Sequence, residues 1–279
     1  GQVVLNPFLG SPAFEAGVLE GDILLMVNNE VLSPDISIDT ITAWLRGPVG
    51  EKVEIVISRG DAGNQHEFVI SRVEFPLPSV TWHLDFEDPG IGLITINIIA
   101  ASTKDELIKA VEDLKSRGAS GFILDLRENS GGLLTAGIDI ARLFLEKGVV
   151  IEEQYRNKSV ETYFVEKPGP YIDFPLVVMI NHNTASAAEI IAGAVKRQGR
   201  AVVVGSPSMG KDSIQLVFEL KDGSSLHVTA ANWWIPGLQP VLGEVGLQPD
   251  VTIAGNDPLS EYDVAIAEAR KILKQQLAP

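Results

Sequence analysis

Ser186 and Lys211 are the residues of this chain whose types and surroundings allow covalent chemistry. Ser186 follows the apolar, β-rich run Leu176-Val177-Val178-Met179-Ile180 and precedes Ala187 to Lys196, a stretch with helical composition. A serine at such a strand-to-helix turn lies at the carboxyl edge of a sheet, beside backbone N–H groups that have no partner inside the helix. Free donors of that kind can hold an oxyanion. The next apolar run, Ala201 to Val204, leads into Gly205-Ser206-Pro207-Ser208-Met209-Gly210-Lys211-Asp212-Ser213. If the two runs are neighbouring strands, both turns reach the same sheet edge and Ser186 can meet Lys211. A lysine whose charge is disfavoured by burial can take the proton of a serine, so the pair needs no histidine. Each residue alone has a plainer reading, an N-capping serine and a solvated lysine.

Upstream, Asp125-Leu126-Arg127-Glu128-Asn129-Ser130-Gly131-Gly132 closes another strand. Paired glycines at a strand-to-helix turn let backbone approach a ligand closely, or simply make a tight turn. Two further chemistries fit parts of the chain and fail on details. Gly205 to Asp212 approximates the phosphate-loop pattern, but Asp212 stands where that motif needs a hydroxyl for Mg²⁺, and the residues after it read as strand rather than helix. A Ser/His/Asp arrangement of Ser186 with His182 and Asp125 lacks the G-x-S-x-G elbow, and His182 would have to fold back past its own loop.

Taken jointly, Thr184-Ala185-Ser186-Ala187-Ala188-Glu189, Gly210-Lys211, Gln215 and the Asp125 to Gly132 stretch resemble the carboxyl-terminal processing proteases, also called tail-specific proteases. These are serine peptidases with a Ser/Lys dyad, and the resemblance covers nearly the whole chain, beginning with a PDZ-like segment. It implies Ser186 as nucleophile, Lys211 as general base and then acid, and Gln215 as the group that positions the lysine amine. It implies an oxyanion hole made by the N–H groups of Gly132 and Ala187, with Gly131, Trp233 and Trp234 near the substrate. For the two tryptophans a place in the core is the alternative. Ser130 stands where the family usually has proline, and Asp212 where it usually has glycine. The resemblance calls for no cofactor or metal, makes a protein or peptide substrate the expected partner, and places the protein outside the cytoplasm. A non-catalytic binding protein on the same fold is the alternative function; the joint presence of Ser186, Lys211 and Gln215 argues against it.

The elements that must position these residues read as mixed α/β. Ile91 to Ile99, a helix from Ser102 or Thr103 to Lys115, and Gly121 to Leu126 follow the strand, helix, strand order of a covered parallel sheet. A helix over about 133–145, a hairpin over 151–165, a second hairpin of 214–220 with 225–232, and a closing helix over 261–273 complete a protease core with a parallel-rich sheet, expected to be αβ sandwich-like, over 76–279. Before it, residues 1–75 read as a small β-rich PDZ-like domain: a strand at 3–5, a short helix capped by Ser11, a strand at 23–27, a helix over 37–46 and a strand at 52–58. The carboxylate-binding loop and peptide-pairing strand of such domains would precede Gly1, so this domain is expected to be truncated. The junction falls in the Pro-rich Glu74-Phe75-Pro76-Leu77-Pro78.

Composition narrows the functions further. With a formal net charge of −15 and no basic run, nucleic-acid binding is excluded as a main role. There is no cysteine, hence no disulfide or thiol chemistry, and the four histidines lack metal-ligand spacing. No apolar stretch reaches the roughly 18 residues that a membrane helix needs. The chain opens directly in a strand pattern without a signal peptide, which reads as a mature or trimmed form. Members of the family it resembles often carry extra terminal helices that assemble the protein, and since these are absent or short in this sequence, the resemblance implies a chain that is mainly monomeric.

Overall fold

The structure is a computed structural model that describes residues 2–277 apart from 6, 9, 34, 61, 62, 76, 77, 223, 239–244 and 254–262. The chain divides into two compact units, Gly1–Pro78 and Ser79–Pro279, against an expected boundary at 75/76. Pro76 and Leu77, in the middle of the expected junction, lie outside the described residues.

Among the described residues, the first unit is an antiparallel sheet with two helices. Its strands are β1 (Val3–Val4), β2 (Ile23–Val27), β3 (Glu30–Val31), β4 (Lys52–Arg59) and β5 (Asn64–Ser71), in the order β1-β2-β4-β5 with β3 beside β2. Ser11 caps the short helix α1 (Pro12–Glu15) by accepting the Phe14 N–H at 3.2 Å, and Pro12 fills the first helical position, where no N–H is needed. Asn28 and Asn29 turn β2 into β3 with φ of 48° and 68°, a conformation that asparagine tolerates better than most residues. Alternation along β4 buries Val53, Ile55 and Ile57 and exposes Lys52 and Glu54. Those three pack with Val18, Leu24, Val27, Ile70 and with Ile41 of α2 (Ile38–Leu45). An apolar cavity of about 640 Å³, with Leu5, Phe8, Leu24, Val53, Ile55 and Phe75 in its walls, opens in this unit.

The second unit is built on a six-stranded sheet. Its strands are β6 (Val80–Leu84), β7 (Ile91–Ile96), β8 (Gly121–Asp125), β11 (Leu176–Ile180), β12 (Val202–Gly205) and β15 (Val251–Thr252), in the order β15-β12-β11-β8-β7-β6. All neighbours are parallel except β6 and β7. β8 and β11 are buried at every position, because the sheet is covered on both faces. Phe122, Leu124, Val178 and Ile180 face a core shared with α3 (Thr103–Ser116), α4 (Leu134–Phe144) and α5 (Ala187–Arg197). Ile123, Val177 and Met179 face the opposite way, onto Ala265, Ala269 and Leu273 of α6 (Val264–Leu277). The expected start of that closing helix, Glu261, lies outside the described residues. A second, antiparallel sheet runs β10 (Glu161–Phe164), β9 (Val149–Tyr155), β14 (Ser225–Trp234), β13 (Ser213–Glu219), which pairs the two expected hairpins with one another.

Candidate active site

Three neighbouring parallel strands end together at the carboxyl edge of the large sheet. β8 leads into the Asn129 to Gly132 turn, β11 into the Ser186 turn, and β12 into the Lys211 loop. Because β11 lies between the other two, Ser186 is delivered between the glycine turn and the lysine loop.

The glycine turn is fixed by Asn129, which is fully buried. Its side-chain amide donates to Ile96 O at 2.7 Å, its Oδ1 accepts the Gly131 N–H at 2.8 Å, and its own carbonyl accepts the Ala185 N–H at 2.9 Å. Gly131 then passes so close to the serine turn that only hydrogen fits. A Cβ there would stand 2.9 Å from Ser186 Cβ and 2.8 Å from Ala185 O, and its φ of 99° already favours glycine. Gly132 leans on the end of the neighbouring strand segment, where an added Cβ would meet Ile99 O at 2.0 Å. Among the described residues, neither the Gly132 N–H nor the Ala187 N–H donates to another group of the protein.

Ser186 has φ 55° and ψ −121°, a conformation that costs a non-glycine residue on the order of 1–3 kcal/mol. It is half-buried, so its hydroxyl remains reachable, while Ala187 and the rest of the first helical turn are buried. The turn is over-determined by its neighbours. Thr184 Oγ1 donates to Leu126 O at 2.8 Å and accepts the Asn181 N–H at 2.9 Å. The Met209 N–H donates to Thr184 O at 2.9 Å, which draws the lysine loop alongside. The amides of Asn181 and Asn183 donate to Glu128 at 2.5 and 2.6 Å and hold that carboxyl below its usual range.

Lys211 is half-buried, and its backbone N–H shares an acceptor with that of Ser186. Both donate to Glu189 Oε2, at 2.9 and 2.7 Å. One oxygen atom therefore stands between the two backbones. No hydrogen bond joins Ser186 Oγ directly to Lys211 Nζ among the described residues. Gln215 is on β13 opposite Thr229, just past a bulge, with an exposed side chain. Trp233 is a core residue, 1% exposed. Trp234 points the other way, as strand alternation requires, is half-buried, and donates its indole N–H to Glu152 at 2.8 Å.

Sequence reasoning singled out neither Asn129 nor Glu189. The Asn-x-Gly order and the Ser-x-x-Glu order were the available signals, pointing to a side-chain-closed turn and a capping box. The competing arrangements find no support in the geometry. Both oxygens of Asp125 are taken by Arg127, at 2.9 and 2.7 Å, so Asp125 has no free oxygen with which to orient His182, and His182 is exposed. The Lys211 loop enters a strand, not the helix that a phosphate loop requires. Among the described residues no cluster of three potential metal ligands occurs, and no helix is long and apolar enough to cross a membrane.

Comparison with known proteins places this geometry in a family. The carboxyl-terminal-processing protease of Synechocystis sp. is 38% identical over 252 residues, covering 90% of this chain and 58% of the relative. The chloroplastic carboxyl-terminal-processing peptidase 1 of Arabidopsis thaliana is 37% identical over 251 residues, covering 88% of this chain and 51% of the relative. The chain thus spans little more than half the length of these curated relatives. Among solved structures, the photosystem II D1 C-terminal processing protease is 28% identical with a TM-score of 0.55, covering 91% of this chain and 68% of that one. A PDZ domain model matches residues 4–59, and a model of peptidase family S41 matches residues 90–253. The three converging strand ends lie inside that second span, and the chain belongs to peptidase family S41.

Proposed function

We propose that this chain is a serine endopeptidase that hydrolyses peptide bonds of protein substrates near their C-termini, by means of a Ser186/Lys211 dyad. Lys211 Nζ takes the hydroxyl proton as Ser186 Oγ attacks the scissile carbonyl carbon. The resulting oxyanion is received by the N–H groups of Gly132 and Ala187. As the intermediate collapses, the proton passes from the lysine to the leaving amine, and water then releases the acyl group by the same steps. Gln215 holds the lysine amine in line. In unliganded hydrolases the contact between nucleophile and base is commonly long and closes around the substrate. Each oxyanion donor is worth about 10²–10³ in turnover.

The observation that carries this reading is that, among the described residues, the N–H groups of Gly132 and Ala187 have no partner in the turns that meet at the strained Ser186, with the Lys211 loop hydrogen-bonded to the same turn. Preference for the ends of chains is supported by the names of the relatives. Work outside the cytoplasm is part of the same proposal. The test is cleavage of internally quenched peptides by Ser186→Ala and Lys211→Ala variants. Turnover is expected to fall by roughly 10³ or more in each; wild-type turnover in either variant overturns the dyad.

A further inference from the structure

Glu189 occupies the third position of α5, where a glutamate ordinarily reaches back to the N-cap N–H and stays in contact with water. It does reach back, to Ser186 N, but its side chain is wholly buried and three more donors converge on it. Oε1 accepts the Gly210 N–H at 2.7 Å and the Ser208 hydroxyl at 2.5 Å, and Oε2 accepts the Lys211 N–H at 2.9 Å beside that of Ser186. A carboxylate offers about four acceptor sites, and here all are used. Only one of the four donors belongs to the helix N-terminus; the others come from the loop that carries the lysine. Ser208 extends the junction by accepting the Leu247 N–H at 2.7 Å. Capping alone does not require burial, and burying an anion is costly unless every lone pair is matched.

We propose that Glu189 is a positioning residue, whose buried carboxylate holds the nucleophile turn and the lysine loop in the one register that lets Ser186 and Lys211 work together. The inference rests on the dyad reading above. All four partners present a hydrogen to it, so the bonding pattern is that of an ionised carboxylate. Burial pushes the Glu189 carboxyl up, against the pull of these donors. A glutamine in its place would turn an NH₂ group toward N–H donors, so that one side of the junction would open while the volume stayed the same. Loss of register by about 1 Å is enough to cost on the order of 10² in the chemical step, and substrate affinity need not change with it.

The experiment compares Glu189→Gln, Glu189→Asp and Ser208→Ala in the full chain, measuring kcat and KM on a quenched peptide together with the thermal midpoint. Glu189→Gln is expected to lower kcat by about 100-fold with KM within about threefold. Glu189→Asp keeps the charge but is too short to span both loops, and should recover part of the loss. Ser208→Ala removes one donor and leaves all three backbone donors, so a loss below about tenfold is expected. A kcat for Glu189→Gln within about threefold of wild type overturns the proposal, as does a loss of activity fully explained by the fraction unfolded. If Glu189→Gln does not fold, Glu189→Asp decides: wild-type kcat overturns the proposal, and a fall in kcat at constant KM supports it. Active Ser186→Ala and Lys211→Ala variants would instead remove the dyad reading itself, so the two failures are distinguishable.

Discussion

Gly131 and Gly118 offer a matched pair of substitutions. Both have nearly the same backbone angle, φ 99° and φ 100°, so an alanine at either site carries a similar left-handed penalty, roughly 1–2 kcal/mol. Their surroundings differ. At Gly118, which ends α3, an added Cβ has nothing within 4 Å. At Gly131 it meets Ala185 O at 2.8 Å, Ser186 Cβ at 2.9 Å and Ala187 N at 3.1 Å. Ordinary contact begins near 3.4 Å, so the serine turn must retreat by about half an ångström, or the core must absorb about 1–3 kcal/mol of overpacking. Gly118→Ala should therefore lower the thermal midpoint by about 2–8 °C and leave kcat/KM unchanged. Gly131→Ala should destabilise at least as much and lower kcat/KM by roughly 10- to 100-fold, because an oxyanion donor must stand about 2.7–3.1 Å from the developing charge. Calorimetry and initial rates on a quenched peptide read both quantities. Equal kcat/KM in the two variants would show that the Gly131 turn does not set the geometry of Ser186, and the oxyanion assignment of Gly132 would fall with it.

Two further outcomes follow from charged groups on other elements. Arg127 is buried between Asp125 and Asp263, at 2.7 Å from each, and these carboxylates keep its guanidinium charged against the effect of burial. Since Asp263 also caps α6 through the Ala265 and Ile266 N–H groups, Arg127→Met should cost about 3–5 kcal/mol in a denaturant titration and speed amide exchange in α6; exchange at the wild-type rate would contradict this. In the first unit, burial works to raise the Asp22 carboxyl, but hydrogen bonds from Arg59 and the Leu19 N–H together outweigh it and hold the group below its ordinary 3.8. A depressed folded-state value gives stability that is complete above the ordinary value and is lost as pH falls through the depressed one. Calorimetry of the full chain from about pH 5 down to about 2 should therefore show an acid-dependent loss in the first unit that Asp22→Asn flattens, and an unchanged slope would refute it.

Where burial on both faces imposes a continuous apolar run, the sequence was easy to read. Leu176–Ile180 is an example: its edges coincide with the expected strand, and α4 and α5 begin and end within a residue or so of expectation. The strands that escaped notice lack such a signature. β5 (Asn64–Ser71) buries only Ile70, because it is the last strand of its sheet and faces water along most of its length. β6 (Val80–Leu84) is likewise an edge strand, joined only to β7. The two tryptophans read alike in sequence, as cleft or as core residues; that Trp233 is buried and Trp234 only half-buried depends on the register with Glu153 and Glu152 across β9, and that register is a tertiary fact. Glu189 was hidden for a related reason. Its Ser-x-x-Glu spacing accounts for one of its four hydrogen bonds; the other three come from residues brought alongside only when β12 settles next to β11.

The order of the strands also explains why parts so far apart in the chain form one site. In sequence, the glycine turn, the serine turn and the lysine loop are separated by α4, the β9–β10 hairpin and α5. In the sheet, the strands that end in them are consecutive, β8, β11 and β12, all parallel. Parallel neighbours must deliver their following loops to the same edge, so pairing alone brings the three loops together before any side chain makes a contact. The central position of β11 then decides which loop can touch both others. It is the serine turn, and its contacts run both ways: Ala185 N–H to Asn129 O on the β8 side, and Thr184 O to Met209 N–H on the β12 side. A strand order with β8 or β12 in the middle would have left the serine turn able to touch either the glycine turn or the lysine loop, but not both.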